Sequence, residues 1–208
     1  MGEHVQTNND AEIAAKASHR WIWFVTGPTA CGKTTVAKFV AEKLNLTFIE
    51  GDDFHPKANV EKMRRGEGLT DADRADWLEA LRDHESIQTP PDTAPHLVMT
   101  CSALKRKYRD VLREGSQRAA NLQIRFIFLE AAEEALVKRA AERKGHYAGP
   151  NLVHSQFRDL ERPGPDEEDV VTVDVGRPME ETENDVLAKV EGMLRKDGTS
   201  IEEHCGAR

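Results

Sequence analysis

Two hydrophobic rhythms alternate along this chain. The first apolar run, Trp21-Ile22-Trp23-Phe24-Val25-Thr26, has no polar face and stops at Gly27, which predicts a strand buried within a parallel sheet. Residues 33–44 then carry Val36, Ala37, Val40, Ala41 and Leu44 at helical spacing, giving one buried face. The alternation continues with a strand over 47–50 and helices over 56–65 and 71–85, separated by Gly66-Glu67-Gly68. A Pro- and Asp-rich loop at 89–95 leads into a strand over 96–101 and a helix over 105–114. A strand over 124–129, a helix over 133–144, a short helix near 153–160, a strand over 170–175 and an amphipathic helix over 179–195 complete the pattern. Strands separated by helices of this length predict an α/β fold, a five-stranded parallel sheet with helices on both faces. Residues 1–19 and 196–208 read as polar tails flanking one domain over 20–195.

Composition narrows the classes. The 208 residues suit one domain with a sizeable core. No apolar run approaches the roughly 18–20 residues of a membrane helix, and the first twenty residues lack the apolar core of a secretory signal. Cys31, Cys101 and Cys205 have neither a pairing framework nor metal-ligand spacing, so thiols in a reducing, cytoplasmic compartment are expected. A net charge of −8 argues against a nucleic-acid surface. An anionic small molecule stays open, because only the local charge of a cleft matters to it.

The strongest chemical signal is Gly27-Pro28-Thr29-Ala30-Cys31-Gly32-Lys33-Thr34, a match to G-x-x-x-x-G-K-[ST] between a predicted strand and a predicted helix. Glycines let the backbone wrap phosphate oxygens with successive N–H groups, and the helix N-terminus behind them adds partial positive charge. In such a loop Lys33 reaches the β- and γ-phosphates of ATP and the Thr34 hydroxyl ligates Mg²⁺, with Thr35 beside it in the nucleotide-binding set. Ala30 stands where a second glycine is frequent, which narrows the backbone geometry without removing a phosphate-binding group. The fold expected is therefore a three-layer P-loop kinase fold with a helical lid.

The acceptor side is sought at the carboxyl ends of the other strands. The second strand runs into Glu50-Gly51-Asp52-Asp53-Phe54-His55-Pro56. A carboxylate here takes the proton of an attacking hydroxyl or holds a Mg²⁺-bound water; Asp52 is the candidate and Asp53 its competitor, since either also serves as a helix cap before Pro56. After the third strand, Lys105 and Arg109 stand four apart on one helix face, suited to a carboxylate or phosphate. Arg139 and Arg143 share a face of a later helix, followed by Lys144-Gly145-His146-Tyr147. Residues 139–163 read as a lid that carries arginines onto the transferring group.

Together these residues resemble the gluconokinase family of small P-loop kinases. The resemblance runs roughly from Val25 to Val190 and is carried by Gly51-Asp52 with His55-Pro56, by Asn59, Lys62-Met63, Gly66, Leu69, Asp71, Asp73-Arg74 and Trp77-Leu78, and by Cys101-Ser102-Ala103-Leu104-Lys105 with Tyr108-Arg109-Asp110. Arg143-Lys144-Gly145-His146 and Ser155-Gln156-Phe157 extend it into the lid, with Tyr147 where the family pattern has Phe. It implies ATP:D-gluconate 6-phosphotransfer on a nucleoside-monophosphate-kinase-like fold, commonly as a homodimer. On this chain it implies that Asp52 meets the sugar-acid hydroxyl and that His55, Lys105, Arg109 and His146 line the acceptor pocket. It further implies phosphate contacts from Arg139 and Arg143, and adenine against Arg177-Pro178. Shikimate and nucleoside monophosphate kinases are the nearest rivals, and the segments at Asp52–His55 and Leu69–Trp77 speak against both. A GTPase switch would need an Asn-Lys-x-Asp signature, and the chain has none.

Overall fold

Strand β1 (Arg20–Thr26) is buried along its whole length, because alternate side chains feed two separate cores. Trp21, Trp23 and Val25 point into one, Ile22 and Phe24 into the other. The computed structural model of the chain describes residues 20–88, 96–118, 122–142 and 149–197. In it β1 pairs in parallel with β3 (Leu97–Thr100) on one side and β4 (Leu122–Glu130) on the other. β2 (Thr47–Ile49) flanks β3 and β5 (Val170–Asp174) flanks β4, so the parallel sheet runs in the order β2-β3-β1-β4-β5.

One core lies under α1 (Lys33–Leu44) and the later helices α6 (Glu133–Glu142), α7 (Pro150–Asp159) and α8 (Met179–Lys196). The other lies under α3 (Asp71–Arg82), α4 (Glu85–Gln88) and α5 (Arg106–Arg113). The short α2 (Lys57–Arg64) sits beside them, and its Met63 packs with Leu69 and Leu152. The five-stranded parallel sheet covered on both faces is thus the architecture expected from the alternating pattern.

Boundaries shift where local chemistry overrides periodicity. The helix expected over 71–85 ends at Asp83, whose backbone leaves helical ψ, and a separate short helix follows. Its start is fixed by a capping box: Thr70 Oγ accepts from the Asp73 N–H at 3.2 Å, and the Asp73 carboxylate accepts from the Thr70 N–H at 2.7 Å. Residues 1–19, 89–95 and 198–208, with Arg143 and His146, lie outside the described residues, while the first two residues of the expected C-terminal tail end the last helix, Lys196 within it and Asp197 as its cap.

Candidate active site

The phosphate loop connects β1 to α1, and its backbone requires unusual conformations. Gly27 has φ 135°, and a side chain there would meet the Leu129 carbonyl oxygen at 2.7 Å. Gly32 caps α1 at φ 96° with no side-chain cap, so the first amides of α1 stay free for an anion. Ala30 sits in the left-handed region at φ 64°, where its Cβ is strained by about 1 kcal/mol. Ala30→Gly is therefore expected to change stability by no more than about 0.5 kcal/mol in urea denaturation, the strain relief being largely offset by glycine's larger unfolded-state entropy and the loss of a buried methyl.

Within the loop, Lys33 Nζ donates to the carbonyl oxygens of Gly27 and Pro28 at 3.2 and 3.0 Å. Thr34 Oγ donates to Glu50 Oε2 at 2.7 Å. Glu50 also accepts from Thr100 Oγ at the end of β3, and Thr100 Oγ accepts from the Gly51 N–H at 2.9 Å. A Cβ on Gly51 would come within 1.9 Å of the Thr100 carbonyl oxygen, so only glycine lets the segment after β2 press against β3. This close approach carries the Glu50–Asp53 carboxylates toward the loop. Glu50 was not singled out from the pattern, although a carboxylate at a strand end facing a loop threonine is a readable signal. The Thr34 hydroxyl and the Glu50 carboxylate offer the hard oxygens that suit Mg²⁺ bound mainly through substrate phosphates.

Gly51–Phe54 forms a single 3₁₀ turn. It separates the two aspartates: Asp53 is exposed, whereas Asp52 Oδ1 lies 3.9 Å from His55 Nε2. The His55 ring stacks on Trp77 at 4.0 Å, and Trp77 Nε1 donates to the Gly51 carbonyl at 2.8 Å. Burial pushes His55 down to about 4, opposed by the Asp52 charge and aided by that of Arg74. The imidazole is therefore neutral near pH 7 and offers one donor and one acceptor.

Two basic residues expected to line the acceptor pocket do other work. Arg109 is fully buried and spends its donors internally. Nε and Nη2 each meet Glu167 at 2.7 Å, while Nη1 donates to the Ala103 and Glu161 carbonyls at 3.2 and 3.1 Å. Its assignment to substrate is corrected: a guanidinium so saturated is a strut. Lys105 is not on the helix but immediately before it, as its N-cap. Its Nζ is held by Asp71 at 2.9 Å and Asp159 at 3.3 Å, and the Asp71 contact raises its pKa above the ordinary lysine value. It ties the start of α3 to the end of α7.

The region expected to act as a lid rests on the loop itself. Gln156 of α7 is buried, and its Oε1 accepts from the Thr29 N–H at 2.6 Å. Beyond α7, the Glu161 N–H donates to the Leu104 carbonyl and Glu161 Oε2 accepts from the Arg106 N–H, both at 2.8 Å. Arg139 and Arg177 line a cavity of about 440 Å³ together with Ala30, Cys31, Gly32 and Thr35 of the loop and α1. Arg139 Nη2 donates to the Val175 carbonyl at 2.7 Å, Arg177 pairs with Asp185 at 2.9 Å, and Pro178 caps α8.

A parallel sheet in this order, with a phosphate loop on its central strand and carboxylates at the end of β2, defines a P-loop kinase. Residues 22–162 match a family profile described as an AAA domain. A probable gluconokinase of Schizosaccharomyces pombe is 42% identical over 179 residues, covering 86% of this chain and 92% of that protein. The thermoresistant gluconokinase of Escherichia coli is 40% identical over 159 residues, covering 76% and 87%. The crystal structure of a gluconokinase from Sinorhizobium meliloti superposes with a TM-score of 0.70 at 36% identity, covering 86% and 93%. The chain belongs to the gluconokinase family.

Proposed function

We propose that this chain transfers the γ-phosphoryl group of ATP to the terminal hydroxyl of D-gluconate, giving 6-phospho-D-gluconate. The observation that carries the reading is the meeting of two halves in one crevice. The loop helix supplies Lys33 and Thr34, and the segment after β2 brings the Glu50 carboxylate into a hydrogen bond with Thr34, with Asp52 two residues further on in the turn that follows. The likeness to gluconokinases over most of the chain supplies the acceptor.

Transfer of this kind is mainly positioning and charge stabilisation. The free amides of α1 and the loop hold the donor phosphates, and the Lys33 ammonium leaves its loop carbonyls to meet the γ-phosphoryl oxygens. Asp52 orients the acceptor hydroxyl and takes its proton at a carboxylate oxygen as the new P–O bond forms and the bond from the γ-phosphorus to the bridging oxygen breaks, releasing ADP. The neutral His55 imidazole hydrogen-bonds an acceptor hydroxyl beside it. Thr34, with the Glu50 carboxylate bonded to it and Asp52 as a further candidate, would hold Mg²⁺, which when bound would neutralise phosphate charge. Arg139 serves the phosphates, and the cavity lined by Arg139 and Arg177, with Pro178 next in sequence, takes the nucleoside end. Arg143 is assigned to the phosphates and His146 to the acceptor pocket, as the resemblance implies. The kinase domain spans 20–195, and the protein works as a homodimer, as the resemblance implies, in the reducing cytoplasm that its cysteine usage suits. Among the described residues no helix is long and apolar enough to cross a membrane.

Turnover with Mg·ATP and, in turn, gluconate, glucose, shikimate and nucleoside monophosphates tests the assignment. Gluconate is expected to be the efficient acceptor. Phosphorylation of one of the other three with gluconate inert would sink it.

A further inference from the structure

Arg74 enters the interior from α3, yet no carboxylate meets it there. The residue is 2% exposed, and its Nε is buried without a hydrogen-bond partner. Among the described residues its guanidinium makes one hydrogen bond, a long one of 3.4 Å from Nη1 to Ser102 Oγ, and forms no ion pair. A guanidinium carries five donors and a charge that cannot be shed, so burying it this way is costly unless an anion completes the site. Arg109 shows how the same fold treats a structural arginine: a carboxylate on two nitrogens and carbonyls on the third. Arg74 has none of that compensation.

Its position points to the acceptor. Arg74 lies three residues before Trp77 on the buried face of α3, and Trp77 carries the His55 ring and the Gly51 carbonyl beside Asp52. Its one partner, Ser102, follows β3, and the Ser102 carbonyl accepts from the Gly27 N–H at 3.2 Å, next to the phosphate loop. The Tyr108 ring lies 5.6 Å from its Cζ, a cation–π contact that orients the guanidinium plane without neutralising it. Buried Cys101 supplies a further bearing. Burial pushes its thiol up to about 12, and the charges of Asp52, Lys33 and Arg74 all act on it. Donor lysine, acceptor aspartate and uncompensated arginine thus surround the end of β3.

We propose that Arg74 is the seat of the acceptor's carboxylate. Its planar fork takes the two oxygens, the Ser102 hydroxyl stands alongside, and the sugar acid is held by the end remote from the reacting hydroxyl. This rests on the gluconate reading above and names the residue that makes a charged acceptor preferable to a neutral one, a role that Arg109 and Lys105 do not fill.

The test compares D-gluconate with D-gluconamide, whose neutral amide replaces the carboxylate, as acceptors at saturating ATP. Wild-type protein is expected to favour gluconate by about 100-fold in kcat/KM. In Arg74→Gln the preference falls to within about threefold, through loss with gluconate alone, while Tm and KM for ATP stay near wild type. A folded Arg74→Gln that keeps the preference overturns the proposal, and so does one that loses both acceptors equally. Arg74→Lys retains the charge without the fork and is expected to raise KM for gluconate about tenfold with gluconamide unchanged. That variant decides the matter if Arg74→Gln does not fold, and an equal change for both acceptors overturns the proposal. Wild-type protein that phosphorylates neither acceptor overturns the activity itself, an outcome distinct from a wild-type preference that Arg74→Gln leaves intact.

Discussion

Asp52→Asn is expected to lower kcat for gluconate phosphorylation by about 10²–10³-fold, with KM for ATP unchanged. Asparagine keeps the size of the side chain and its hydrogen-bonding reach, so the acceptor still binds. What disappears is the negative charge that draws the hydroxyl proton as the phosphoryl group arrives. The partly exposed Asp52 faces His55 across 3.9 Å, while its neighbour Asp53 is exposed. Asp53→Asn therefore serves as the internal control, with an expected change of less than about threefold. Steady-state kinetics on the two variants separate the roles. A near-normal rate in Asp52→Asn with a collapse in Asp53→Asn would hand the base role to Asp53.

The second large effect is on stability. Glu167→Gln is expected to cost about 3–5 kcal/mol in chemical denaturation at pH 7, because it leaves the Arg109 guanidinium buried beside a neutral amide. Glu167 is the hub of this cluster. It takes Arg109 on both oxygens and Arg113 at 2.7 Å, and Arg113 continues to Asp169 at 2.7 Å. Burial alone would raise the Glu167 carboxyl, but hydrogen bonds from the two arginines outweigh it and bring it from 4.5 to about 2. Because the folded value lies below the unfolded one, this stabilisation is complete above about pH 4.5 and fades as the pH falls toward 2. Its size is about 3 kcal/mol. Wild-type protein should lose stability across that window, and the gap between it and Glu167→Gln should narrow. A gap that stays constant down to pH 2 would show that Glu167 is not the group responsible.

The parts of this molecule that could be read in advance are those in which neighbouring residues determine the outcome. β1 is apolar on both faces, so a buried position between helical layers is nearly its only stable placement. The phosphate loop is specified by glycines whose conformations other residues resist, followed at once by the lysine and threonine that do its chemistry. The basic residues were different, because a cation's job depends on which carboxylate reaches it. Arg109 looked free on its helix, yet its partner Glu167 comes from beyond α7, 58 residues further on. Lys105 likewise meets Asp71 from 34 residues earlier. Arg74 was visible as part of a familiar segment, but its lack of a counter-charge is a property of three-dimensional neighbours alone. Glu50 was hidden because its role depends on Thr34 and Thr100 arriving from α1 and β3. The five-strand parallel sheet followed from the alternation of elements, whereas its strand order did not, since parallel pairing leaves no hairpin signature between consecutive strands.

That strand order has a consequence for how the protein is made. Of the five strands of the sheet, β1 leaves the ribosome before the others, but its partners come late: Ile22 pairs with Leu97 and Ile124. Until β3 has been synthesised, the stretch Trp21-Ile22-Trp23-Phe24-Val25 has no sheet to enter and both its edges are unpaired, and the edge that β4 covers stays open until β4 follows. Nascent chains cut off before β3 should therefore be held by chaperones or aggregate, whereas chains released after β4 should bury this strand and become resistant to protease. The strand that anchors the phosphate loop in the finished enzyme is the segment most in need of shelter during its birth.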